Sequence, residues 1–338
     1  GNSMSRFFSL LGKSEPRDDS VDPTLTVCQI NVWSGSKYEV NWRTRSFSSY
    51  ESKEYHEERF ESLISGIKKL NPDVISVNEA MGLEGCKQYL GKLGRHLEEY
   101  EVYGSIGVSG LLLGFLAIPS WKTTEGDAIL VKKSLERSYI GRKRLSGRVF
   151  NDRFALNLDD ATQVLGLNVR KGGKTFSIFA THWHAGLLDD EATTNDLKAL
   201  EGFTEEELQE GREEITRSTS TRVNEAKLTL DFISSSCKER KESQVIVLLG
   251  DLNTTPGTPE LREVENGGFT SLRIEGNPHT WSTSNPNVNM QGEAERADAR
   301  GKVEMALYNK MSKREAQLDH IFVKGNVDMK GSVCRVCL

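Results

Sequence analysis

"VIVLLGDLNTTPG", residues 245–257, decides how the chain is read. Five apolar residues stop abruptly at Gly250 and Asp251, and Asn253 and Thr-Thr-Pro-Gly then break the chain into a turn. Such a run reads as a buried strand whose mouth carries a carboxylate and an amide. Residues two apart on an extended strand face the same side, so Asp251 and Asn253 are expected to converge on one ligand. The carboxylate would hold a water or a metal while the amide donates to an oxygen. Taken alone, the pair reads as readily as caps of the turn that follows.

Outward from this strand, strand-like and helix-like patterns alternate with no internal repeat, which predicts a layered α/β domain. "TLTVCQINVW" (24–33) is β-rich, and a polar stretch follows it to about Tyr55. Phe60, Leu63, Ile64, Ile67 and Leu70 recur at helical spacing, and Pro72 ends that helix at Asn71. "DVISV" is a short buried strand ending at Asn78 and Glu79, and "EGCKQYLGKLGRHL" (84–97) is helical. Residues 102–121, "VYGSIGVSGLLLGFLAIPSW", carry no charge. Their glycines and Pro119 argue against a membrane span and for core strands around a glycine-rich loop, with an exposed lipid-touching loop as the alternative. "GDAILVKK" (126–133), "ATQVLGLNV" (161–169) and "TFSIFATHWHAG" (175–186) are strands, the last two joined at "RKGGK".

Residues 187–221 form an acidic, polar segment in which Thr204 and Glu207 make a capping box, so a solvated surface helix is expected there. A second helix presents Val223, Ala226, Leu230 and Ile233 on one face and leads into the opening strand. "TPELREV" (258–264) has a Thr cap and Pro in the first turn, and a polar stretch, 277–314, runs to the strand "QLDHIFV".

Composition bounds the partners. With 338 residues the chain holds one large or two small domains; a single domain over 24–338 is the expectation, after a remnant-like Gly-Asn-Ser and a flexible tail over 1–23. A net charge of −5 argues against a broad basic face, leaves room for a local patch, and does not exclude a nuclease. The five cysteines are odd in number and scattered, as free thiols in a reducing compartment would be. Cys334 and Cys337 lack the further ligands of a zinc site. No signal peptide or spanning helix is read, which suggests an intracellular protein, cytoplasmic or peripheral to a membrane.

Polar residues mark the ends of otherwise apolar strands: Asn31, Glu79, His182, Asp251 with Asn253, and Asp319. A lone Glu at a strand end suits Mg²⁺, which keeps several waters and needs one or two protein carboxylates. Together with an imidazole and an amide, this set describes in-line attack on phosphorus, where developing negative charge must be stabilised.

These motifs, "QINVW", "DVISVNEA", "GDAILV", "ATHWHAG", "LLGDLNTTP" and "LDHIFV", resemble in order and approximate spacing the endonuclease/exonuclease/phosphatase superfamily. The resemblance implies a four-layer α/β/β/α sandwich, two packed mixed sheets flanked by helices, with the site at one end. It makes Glu79 the principal Mg²⁺ ligand, with Mn²⁺ as the alternative ion, and puts Asn31 beside metal and phosphate. Asp251 would orient or deprotonate the attacking water, Asn253 would bind a non-bridging oxygen, His182 would stabilise the transition state, and Asp319 would orient a further histidine. Family members carry that histidine in a Ser-Asp-His segment after the "LDHIFV" motif. This chain shows none, which suggests truncation, a rebuilt site or an inactive binding module, truncation being favoured because the other residues survive. His320 should face away from Asp319, and His184 reads as a structural histidine. Asn78 stands where many relatives have Gln, affecting the metal's surroundings more than the metal.

"GDLNTTPGTPEL" followed by "NPHTWSTSNP" looks most like the neutral sphingomyelinase-type branch, so a phospholipid head group such as that of sphingomyelin is the favoured phosphodiester, with peripheral membrane contact. RNA or DNA is the alternative, supported by "KKSLERSYIGRKRLSGR" (132–148), otherwise a solvated loop. No protein partner is expected.

Overall fold

The computed structural model describes residues 24–32, 52–80, 86–105, 126–146, 162–238, 245–272, 274, 278–282 and 301–335, and the backbones of short strands within 4–11, 36–40, 45–49, 111–113 and 116–118. Gly1 to Ser3, Pro119 and Cys337 lie outside the described residues.

Two six-stranded sheets form the centre. Strands in chain order are β1 (Met4–Leu11), β2 (Leu25–Asn31), β3 (Ser36–Val40), β4 (Arg45–Ser49), β5 (Val74–Asn78), β6 (Tyr100–Ser105), β7 (Leu111–Leu113), β8 (Leu116–Ile118), β9 (Asp127–Lys132), β10 (Glu136–Arg144), β11 (Gln163–Lys171), β12 (Lys174–His182), β13 (Val245–Asp251), β14 (Thr270–Ser271), β15 (Asp319–Lys324) and β16 (Asp328–Arg335). The first sheet runs β16-β1-β2-β5-β9-β6 and the second β10-β11-β12-β13-β15-β14. Each contains one parallel pair at its heart, β2 with β5 and β12 with β13.

Side-chain alternation sorts every central strand into two faces. Val27, Val74, Ile129, Ile178, Leu249 and Ile321 pack between the sheets. Their neighbours face outward. Cys28, Ile75 and Leu130 meet α1 (Lys53–Leu70) and α2 (Cys86–His96), while Phe179, Leu248 and Phe322 meet α4 (Glu205–Ser236) and α5 (Pro259–Asn266). The result is the α/β/β/α sandwich. A satellite cluster of Leu187, Leu197, Ile215, Val303 and Leu307 joins α3 (Glu191–Lys198), α4 and α6 (Lys302–Met311). Among the described residues no helix is long and apolar enough to cross a membrane.

Local chemistry sets several boundaries. Asn71, left-handed at φ 49°, caps α1 before Pro72. Gly172 and Gly173, at φ 54° and 71°, make the two-residue turn between β11 and β12 that a right-twisted hairpin requires.

Several sequence expectations need correction. The acidic segment and the helix after it are α3 plus one uninterrupted 32-residue helix, α4, because Thr204 with Glu207 starts a helix that nothing before Cys237 stops. Within 132–148, residues 136–144 are not a loop but the edge strand β10. The polar stretch 277–314 contains α6, whose Val303 and Leu307 supply only one narrow apolar contact. Met4–Leu11, inside the stretch read as a tail, is strand β1 between β2 and β16. β3 and β4 pair within the polar stretch before α1, and β7 and β8 pair apart from both large sheets. Thr258 occupies the N-cap of α5 without a side-chain cap bond, because its hydroxyl donates to Thr255 O at 3.0 Å instead.

At the end away from the polar strand termini, buried Asp73 ties the sheets together. Its Oδ2 accepts from Thr26 N and Oγ1, both at 2.8 Å, and from Lys171 Nζ of the other sheet at 2.7 Å. Asp73→Ala should lower stability by about 2–3 kcal/mol by stranding these donors. A urea denaturation midpoint unchanged from the parent protein would rule this out.

Candidate metal centre and active site

The polar strand ends meet because of register. Asn31 pairs with Asn78, His182 with Asp251, and Asp251 with Asp319. Each inward row of apolar residues therefore ends, at the same edge of the sandwich, in a polar one. Gln29 and Asn31 continue the face of Val27; Asn78 that of Val74; Asp127 that of Ile129; His182, Asp251 and Asp319 those of Ile178, Leu249 and Ile321.

Glu79 follows Asn78 directly and by alternation would point outward. Its backbone sits instead at φ 55°, in the left-handed region that non-glycine residues rarely adopt. The reversal turns Glu79 back toward Asn31. Asn253 is left-handed too, at φ 47°. Asp251 and Asn253 do converge, yet by a turn rather than by strand alternation: β13 ends at Asp251, and Asn253 N donates to Asp251 Oδ1 at 2.9 Å.

Glu79, His182 and Asp251 present ligand atoms that all lie within 4.8 Å of one another. Asn31 Nδ2 bridges the two carboxylates, donating to Glu79 Oε1 at 2.6 Å and to Asp251 Oδ2 at 2.8 Å. Two acidic groups sharing one neutral amide form a donor set that suits a hard divalent cation. Asn253 Nδ2 donates to Trp183 O at 2.9 Å and faces His182 Nε2 at 2.9 Å, which assigns the acceptor role to Nε2. The ring's Nδ1 lies 3.9 Å from Asp127 Oδ1.

Beneath these groups Asn78 links the sheets. Its Oδ1 accepts from Asp251 N at 3.0 Å and from Gln29 Nε2 at 2.6 Å, while Nδ2 donates to Asp127 Oδ1 at 2.8 Å. Gln29 Nε2 also donates to Asp319 Oδ1 at 3.1 Å. Asp319 thus holds the Gln29 amide in place. Thr280 Oγ1 accepts from the backbone N–H groups of Leu318 and Asp319 at 2.9 and 3.0 Å, so the Thr-Trp stretch is fastened to the strand bearing Asp319.

Every strand-end residue singled out in the sequence reaches this cluster: Asn31, Glu79, His182, Asp251, Asn253 and, one step back, Asp319. His320 faces outward as expected, buried, with Nε2 2.8 Å from Thr254 O. His184 meets Glu225 through its backbone N–H. Asp127 and Gln29 were missed. Asp127 follows a glycine and opens an apolar strand, whereas Asp251 follows a glycine and closes one; a Gly-Asp pair at the end of an apolar strand was the available signal. Gln29 gave a weaker one, a polar residue inside a β-rich run.

Solved structures of similar fold include mannosyl-6-phosphatase Bt3783 of Bacteroides thetaiotaomicron, at 14% identity and TM-score 0.48, with 89% of this chain and 85% of that chain covered. A beta hairpin deletion mutant of Staphylococcus aureus beta toxin is 20% identical at TM-score 0.47, covering 88% and 85%. Humanized D. rerio TDP2 is 14% identical at TM-score 0.45, covering 89% and 83%. No curated protein matches the chain. The model of the Endonuclease/Exonuclease/phosphatase family matches residues 28–337, a span that includes the whole polar cluster. That match, over most of the chain, shows that the chain belongs to the endonuclease/exonuclease/phosphatase family of hydrolases.

Proposed function

We propose that the chain is a Mg²⁺-dependent phosphodiesterase, with Mn²⁺ able to replace Mg²⁺, that cleaves its substrate by in-line attack of water. The observation that carries the reading is the convergence of Glu79, His182 and Asp251 within 4.8 Å, bracketed by Asn31 and Asn253. In this reading Glu79 holds the metal with Asn31 beside it. The bound cation supplies Lewis-acid stabilisation of charge on the phosphoryl oxygens. Asp251, aimed by Asn253 N, orients the attacking water and takes its proton. On substrate binding the Asn253 amide exchanges its bond to His182 Nε2 for one to a non-bridging oxygen, and His182, taking up a proton, donates there as negative charge grows in the transition state. Asp319 acts at one remove, by orienting Gln29 beneath the site.

A phospholipid such as sphingomyelin is the substrate we favour, with contact to the membrane surface. Support comes from the Thr-Trp stretch, which is bonded through Thr280 to the head of β15, and from the uncharged residues 102–121. One observation favours nucleic acid as a second reading. Arg144 of β10 pairs with Gln163, and Gln163 pairs with His182, so an arginine extends the catalytic row.

The test presents purified protein with sphingomyelin vesicles, lysophospholipid, an oligonucleotide and a chromogenic phosphodiester, each with Mg²⁺ or Mn²⁺ and again with EDTA. Hydrolysis that EDTA removes is the expected result. Cleavage of the oligonucleotide alone would replace the lipid reading with the nuclease one. No hydrolysis of any substrate would refute the phosphodiesterase and leave a binding module.

A further inference from the structure

Two side chains of α4, one turn apart, reach from the helix layer into the loops that carry the site. Glu225 is fully buried. Its Oε2 accepts from the backbone N–H of His184 at 2.8 Å, two residues beyond His182. Its Oε1 accepts from the Ser146 hydroxyl and, at 2.5 Å, from the Thr162 hydroxyl. Those two residues close the neck between β10 and β11, where Leu145 N also donates to Thr162 O at 2.9 Å. Arg222, equally buried, donates from Nη2 to Leu187 O at 2.9 Å and from Nε to Glu260 Oε1 at 2.7 Å. Glu260 Oε1 in turn accepts from Thr254 Oγ1 at 2.8 Å, next to Asn253.

Stability does not account for these groups. Burying a charge is expensive, and an apolar residue of similar volume packs as well or better. Burial pushes the Glu225 carboxyl upward, and its hydrogen bonds with His184, Ser146 and Thr162 oppose that shift. What a carboxylate provides and a leucine cannot is a directional acceptor for one chosen backbone amide.

We propose that Glu225 is a positioning residue for the reaction: by holding the His184 amide it sets the angle at which the His182 ring faces Asn253 and Asp251. Arg222 and Glu260 hold the far end of the same loop at Leu187 and the next loop at Thr254. The catalytic loops are thereby registered against α4 as well as against each other. In its kinetic arm the inference rests on the phosphodiesterase reading; in its structural arm it does not.

The test compares Glu225→Leu, which keeps volume but removes the acceptor, with Glu225→Gln, which keeps an acceptor oxygen. Glu225→Leu should lower kcat about 30- to 100-fold with KM within about 3-fold, the range in which misplacing a catalytic group by about 1 Å falls. Glu225→Gln should stay within about 3-fold of the parent enzyme, since its amide oxygen still accepts the His184 N–H. Hydrogen exchange at the His184 amide should quicken in the leucine variant and return to parent values in the glutamine variant, with β12 and β13 unchanged in both. If the parent protein hydrolyses nothing, the phosphodiesterase reading fails and the exchange data alone decide this one. Should Glu225→Leu not fold, the Ser146→Ala/Thr162→Val variant replaces it, with a smaller fall in kcat and faster exchange at His184 expected. Equal losses in the leucine and glutamine variants, or unchanged kcat and exchange in Glu225→Leu or in the Ser146→Ala/Thr162→Val variant that replaces it, would overturn the proposal.

Discussion

Glu79→Ala is expected to lower kcat/KM for phosphodiester hydrolysis by about 10³ or more, while the protein stays folded. The size follows from what the carboxylate anchors: charge stabilisation on a transferring phosphoryl group amounts to several kcal/mol, and about 1.4 kcal/mol corresponds to tenfold in rate. The protein tolerates the change because Glu79 packs no core; its Oε1 meets the Asn31 amide at the site's mouth. Mn²⁺ titration by calorimetry should show binding in the parent protein and none in the variant. Backbone conformation sharpens the experiment. At φ 55° Glu79 is held where glycine would rest without strain, so Glu79→Gly should be more stable than Glu79→Ala by about 1 kcal/mol and equally inactive. A stability gain alongside a lost activity is what strain held for function looks like. Hydrolysis within tenfold of the parent in either variant would remove Glu79 from the metal centre.

Gly250→Ala should have the largest effect on folding, a loss above about 4 kcal/mol or failure to accumulate as folded protein. A Cβ built there would lie 1.8 Å from Thr181 O, a backbone atom of the parallel neighbour β12, so relief requires the central strands to part. That movement would also separate His182 from Asp251, which pair one residue further on. Gly91→Ala in α2 is the control: its nearest neighbour would be the end of a flexible arginine at 3.6 Å, and alanine favours helix by up to about 1 kcal/mol. Thermal denaturation should therefore separate two identical chemical changes by their surroundings alone. A Gly250→Ala midpoint close to the parent's would mean β12 and β13 are not held as described.

What could be read in the sequence were groups whose position in the chain already implies their position in space. A polar residue that ends an apolar strand must lie at a sheet edge, and Asn31, Glu79, His182, Asp251 and Asp319 all do. The turn glycines 172 and 173 and the Thr204 capping box were equally local and equally legible. What could not be read were relations made by register between distant segments. Asp127 lies beside Asn78, and Gln29 under Asp319, only because strands 49 and 290 residues apart are aligned to the residue. Segments with thin apolar signals were misread for a related reason. β10 alternates poorly because it is an edge strand, and α6 shows two buried apolar positions because, among the described residues, it packs against α3 and α4.

The division of the site between the two sheets has a consequence for how competence arises. Asn31, Asn78, Glu79 and Asp127 belong to one ladder or its end, and His182, Asp251, Asn253 and Asp319 to the other. Each sheet can complete its own backbone pairing without the other, so neither nascent half contains a site. The bonds from Asn31 to Asp251 and from Gln29 to Asp319, and that between Asn78 and the Asp251 amide, come into being only when the halves dock. On the proposed reading, competence therefore belongs to the docked pair of sheets and to neither ladder alone.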